Sequence, residues 1–137
     1  MNFKAKLLAY HAIAAAIAVI PMQSVASDID IKYEKFPLTS PEAQQIWATE
    51  SNDATPLGEE KPWAMIAKVK VPGKKDLVVS QLFSSMHCGG MECPIKIMQE
   101  GKVINEGMAC DAYEYHELSD DHEALMACDA IIPLDLK

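Results

Sequence analysis

The 137-residue sequence contains no arginine, and lysine alone supplies its twelve fixed positive charges against twenty acidic residues. Recognition of phosphate backbones and anionic headgroups leans on positive charge and on the planar guanidinium fork. An acidic chain without that fork therefore argues against nucleic acid or an anionic membrane as a partner. It favours basic partners, whose encounter it would accelerate. Nor is there a Gly-x-Ser-x-Gly elbow or a His-Glu-x-x-His run, the patterns that place a nucleophile or a zinc pair. Met-x-x-Met and His-x-His spacings are absent too, as are internal repeats. These absences point to a non-enzymatic chain that acts by binding.

Long hydrophobic stretches are lacking except at the start. Lys4 and Lys6 precede an apolar run from Leu7 to Ile20, and small residues up to Ala26 follow. That is the pattern of a secretory signal peptide over residues 1–26, with an apolar core too short for a comfortable membrane span. No cysteine stands at the expected cleavage site, so no lipid anchor is indicated. Residues 27–137 then form one exported domain, periplasmic or secreted. Loss of the leader leaves ten lysines against twenty acids, a net charge of −10.

All four cysteines, Cys88, Cys93, Cys110 and Cys128, fall in the expected mature part. An even count in an oxidising compartment reads as disulfides first. Of three possible connectivities, local spacing favours Cys88–Cys93 with Cys110–Cys128. The longer loop would contribute roughly 3 kcal/mol in the chain-entropy model. The shorter would hold a loop's shape and add little stability.

Hydropathy along the chain predicts an α+β domain, an antiparallel meander of five or six strands with one helix packed on it. Alternation over residues 28–33 predicts a half-buried strand. Ser40-Pro41-Glu42 is a helix start, with a capping hydroxyl, proline in the first turn and an acid near the positive dipole end. Ala43, Ile46 and Trp47 give that helix an apolar face to about Ser51. Residues 52–62 read as a polar linker. Trp63, Met65, Ala67, Val69 and Val71 share one strand face, and a Pro72-Gly73 turn leads into a strand over 77–83. Ile95 and Ile97 mark the next strand, and Glu100-Gly101 a hairpin turn toward Val103 and Ile104. Tyr113 and Tyr115 alternate with polar residues as a further strand. A turn at Ser119-Asp120-Asp121-His122 precedes a last strand over 124–128.

The centre of this arrangement is Met86-His87-Cys88-Gly89-Gly90-Met91-Glu92-Cys93-Pro94. Gly89 and Gly90 can take positive φ, so a Cys88–Cys93 bridge can close a tight loop at a hairpin tip. Met86, His87, Gly89, Gly90, Met91 and Glu92 are the candidate binding residues of that loop. Two other chemistries use the same residues. Met86, His87 and Met91 offer soft ligands suited to copper, Cu(I) above all. Cys88 and Cys93 invite a thiol-disulfide role, although such sites usually place two residues between the cysteines at a helix start. No cofactor is expected for the binding module.

Residues 78–98, a strand, a Cys-x4-Cys loop and a returning strand, resemble the periplasmic inhibitors of vertebrate lysozyme. In that family the bridged loop enters the lysozyme cleft and carries a histidine followed by an acid. Here Met91 stands at the histidine position and Glu92 at the acidic one. Gly89 and Gly90 replace a bulkier pair, His87 lies outside the bridge, and Cys110 with Cys128 has no counterpart. The resemblance implies an exported inhibitor of a basic hydrolase such as lysozyme, working through this loop.

Overall fold

A computed structural model describes residues 29–137; the expected leader, residues 1–26, lies outside the described residues. Among the described residues eight strands and one α-helix follow in chain order: β1 (Glu34–Pro37), α1 (Pro41–Trp47), β2 (Trp63–Val69), β3 (Leu77–Phe83), β4 (Glu92–Gln99), β5 (Lys102–Cys110), β6 (His116–Leu118), β7 (Ala124–Ala127) and β8 (Ala130–Pro133). Strands β1 to β5 form a five-stranded antiparallel sheet in sequence order, and β6 to β8 a three-stranded one. Two bridges, Cys88–Cys93 and Cys110–Cys128, complete the α+β domain. Among the described residues no helix is long and apolar enough to cross a membrane.

The five-stranded sheet is buried on both faces because its central strands carry apolar residues at odd and even positions alike. Leu77 and Val79 of β3 point with Ala67, Ile95 and Ile97 into the core shared with Leu118, Leu125 and Ile132 of the smaller sheet. Leu82, with Ala64 and Ile66 of β2, faces the other way, against Ala43 and Trp47 of α1. A seven-residue helix has almost no stability of its own, so this packing holds it. Ser40 caps it by accepting from the Ala43 amide at 3.3 Å. The Trp47 indole donates to Ser80 Oγ at 2.8 Å, and the Lys96 ammonium sits 4.5 Å above its ring.

Four local expectations shift. The residues 29–33 form no strand; β1 starts at Glu34. The alternation there is real burial, since Ile29, Ile31 and Tyr33 pack against the core, but without ladder pairing. The helix stops at Trp47 and a 3-10 turn covers Glu50–Asn52. Side chains end it: Ser51 Oγ donates to the Ala48 carbonyl at 2.8 Å and Asn52 Nδ2 to that of Thr49 at 3.2 Å. Tyr113 and Tyr115 belong to a 3-10 turn, one half-buried in an aromatic cluster and the other exposed. The turn puts the two rings in different environments, and the strand begins only at His116. Last, the strand expected over 124–128 ends at Ala127, and β8 returns beside it after Cys128 and Asp129.

Candidate functional site: the bridged turn between β3 and β4

At the end of β3 the chain leaves the sheet, and residues 84–93 make a closed knuckle. Gly89 and Glu92 exchange both backbone hydrogen bonds, at 2.9 and 3.0 Å. Gly90 and Met91 lie between them, with φ of 59° and 67°. Two left-handed central residues make the primed turn that suits the twist of paired strands. The positive φ values therefore fall on Gly90 and Met91, one position later than the Gly89-Gly90 pair expected. An L-residue in that region costs about 1–2 kcal/mol, and Met91 is 77% exposed while bearing it. Neither backbone preference nor burial explains a methionine there.

Two sets of bonds brace the knuckle. On one side, Thr55 accepts from the Ser85 and Met86 amides through its carbonyl and hydroxyl, at 3.2 and 2.9 Å. Its own amide donates to Ser84 Oγ at 2.9 Å. On the other side, the Asp111 amide donates to the Met91 carbonyl at 2.9 Å. Beneath, Cys93 is 2% exposed, in a cluster with Met65 and Phe83. The buried Gln81 amide donates to the Ala109 and Cys110 carbonyls at 3.0 and 2.9 Å, joining the base of the knuckle to β5. Thr55 and Asp53, read from sequence only as linker, are thus the positioning residues that sequence reasoning missed. A hydroxyl and an acid in a polar stretch carry no local sign of the segment they will meet 30 residues on.

The expected loop residues separate into two groups. Met86 is 61% exposed, and Gly89, Gly90, Met91 and Glu92 are exposed with it. His87 turns inward. Its Nδ1 lies 3.2 Å from Ser84 Oγ and its Nε2 3.1 Å from an Asp53 carboxylate oxygen. Both ring nitrogens are engaged, so a copper site of Met86, His87 and Met91 would first have to break these contacts. Among the described residues no group of three or more His, Cys, Asp and Glu side chains could hold a metal ion.

A second chemical cluster lies below. Tyr33 OH is 2.9 Å from Nδ1 of His116, and Nε2 of that ring is 3.0 Å from the Cys110 carbonyl. A carbonyl only accepts, so Nε2 carries the proton and the phenol donates to Nδ1. Burial lowers the His116 pKa from its ordinary 6.5, against the opposing pull of the Cys110 carbonyl and Glu114. Burial raises that of Tyr33.

No family model matches the chain, and no curated protein or solved structure does.

A pH dependence follows from His116. Its folded-state pKa lies below its unfolded value, so unfolding takes up a proton that the native ring refuses. Its contribution to stability is complete above about pH 6.5 and is lost as pH falls toward the depressed native value. Urea midpoints measured from neutral to mildly acidic pH should decline, and less steeply in His116→Phe. Equal slopes in the two proteins would remove His116 from the account.

Proposed function

We propose that the chain is a non-enzymatic, exported binding module that presents the Cys88–Cys93 knuckle to a basic protein partner. A cleft of a cationic hydrolase, lysozyme being the nearest chemical example, is the sharpest form of this reading. The observation that carries it is Met91, exposed at the tip in a left-handed conformation that disfavours it. Such a side chain has its use outside the fold. The braced backbone would lose little freedom on docking, which favours affinity. Met91 and Met86 offer adaptable apolar contacts, Glu92 offers charge, and the acidic domain steers a cationic surface from a distance. The expected disulfides are present and fit an oxidising compartment.

Met91→Gly tests it, because stability and binding should move in opposite directions. Glycine relieves the positive φ, so stability should rise by up to about 1 kcal/mol. Affinity for lysozyme, or for the basic protein retained on the immobilised chain, should fall at least about tenfold, the scale of one lost apolar contact. Unchanged affinity would reduce the knuckle to a structural clasp.

A further inference from the structure

The sequence directs attention for redox chemistry to Cys88 and Cys93, yet the geometry favours the other bridge. Of the four cysteines only Cys128 is exposed; Cys88 and Cys110 are half-buried and Cys93 is buried. Cys128 stands at the tip of the connection between Ala127 and Ala130, with φ of 56°. Its partner Cys110 ends β5, where Sγ lies 3.7 Å from Nε2 of His116. That nitrogen carries its proton, because it donates to the Cys110 carbonyl at 3.0 Å, and the Tyr33 phenol occupies Nδ1. The bridge thus joins an exposed residue to a half-buried one whose sulfur has an N–H donor beside it.

We propose that Cys110–Cys128 is a reactive disulfide, opened by attack of an external thiolate on Cys128 with Cys110 as the leaving group. Exchange rates depend on access to the attacked sulfur and on how well the departing thiolate is stabilised, and these two conditions are met on opposite ends of this bridge. The incoming thiolate forms a bond to Cys128 Sγ as the bond to Cys110 Sγ breaks, and the electron pair leaves on Cys110. The His116 N–H, which in the closed bridge donates to the Cys110 carbonyl at 3.0 Å, turns toward that anion 3.7 Å away without giving up its proton. A second thiolate attacks the external sulfur of the mixed disulfide and releases Cys128. In sum, two thiols are oxidised to one disulfide, and the bridge gains two electrons and two protons.

Tyr33 packs edge-on against the imidazole, with ring centroids 5.7 Å apart, and its other neighbour is Tyr113 at 5.6 Å. Glu114 adds the nearby negative charge. Opening the bridge removes the covalent tie between the β7–β8 turn and the end of β5 and leaves Cys88–Cys93 closed, while Leu118, Leu125 and Ile132 keep the second sheet packed on the first.

The test is stepwise reduction of the intact chain with glutathione, followed by alkylation at low pH and peptide mapping. The expected first product carries glutathione on Cys128 and a free thiol at Cys110, formed about tenfold faster than any product at Cys88 or Cys93. Glutathione found first on Cys110, Cys88 or Cys93, or both bridges persisting where dithiothreitol reduces the unfolded chain, overturns the proposal. His116→Phe separates chemistry from packing. A lost leaving-group donor slows opening, whereas a merely loosened core speeds it, and faster opening overturns the assigned role. Should that variant fail to fold, Tyr33→Phe keeps the tautomer, which the Cys110 carbonyl holds, and removes only the hydroxyl whose bond to Nδ1 makes the Nε2–H a stronger donor; slower opening is again expected, and faster opening is again the contrary result.

Discussion

Trp47→Ala should cost about 3–5 kcal/mol of stability, the range for truncating a fully buried tryptophan. The side chain is 1% exposed between α1 and the sheet. Its loss removes more than volume. Ser80 Oγ loses the indole donor at 2.8 Å, although it keeps its own bond to the Met65 carbonyl at 3.0 Å. Lys96 loses the ring beneath it and keeps Glu50 at 2.6 Å and the Ile46 carbonyl at 3.2 Å. Because α1 is only seven residues long, nothing local replaces that packing. Urea denaturation measures the loss, and amide exchange over residues 41–47 should approach that of an unstructured segment. A loss below about 1.5 kcal/mol would mean that the helix is held by something other than this contact.

Gln81→Leu should cost about 2–4 kcal/mol although volume and burial are nearly kept. Gln81 is fully buried on β3. Its Nε2 donates to the Ala109 and Cys110 carbonyls at 3.0 and 2.9 Å and approaches that of Cys93 at 3.4 Å. Leucine leaves these acceptors without that donor, and a buried unsatisfied group costs about 1–3 kcal/mol. The Cys110 carbonyl retains Nε2 of His116 at 3.0 Å, which limits the sum. Among the described residues the Oε1 atom has no hydrogen-bond partner, so its removal offsets part of the cost. The base of the knuckle should loosen in step, seen as faster amide exchange at Cys93 and Asp111. Equal stability of the leucine variant would show that backbone pairing alone satisfies these carbonyls.

What the sequence determined by itself is what neighbouring residues decide. Ser40-Pro41-Glu42 starts a helix because the cap, the ring and the dipole act within one turn. Glu100 and Gly101 reverse the chain with φ of 51° and 74° because a two-residue hairpin needs left-handed residues. The strand over 77–83 stands where hydropathy places it, and the one expected from Trp63 to Val71 forms over 63–69. The pairing of Cys88 with Cys93 and Cys110 with Cys128 is also as spacing implies. What remained illegible depends on segments distant in sequence. Ile29 and Ile31 alternate like a strand, but pairing needs a partner in register, which alternation does not encode. His87 reads as a presented side chain until Asp53 and Ser84 arrive on both sides of its ring. Cys110 and Cys128 look like a plain staple until folding half-buries one, exposes the other and sets Tyr33 to orient His116 beside them. Local propensity acts through a few covalent bonds, whereas burial and hydrogen-bond partnership exist only once residues tens of positions apart are brought into contact, and the chemistry of both loops is made at that second stage.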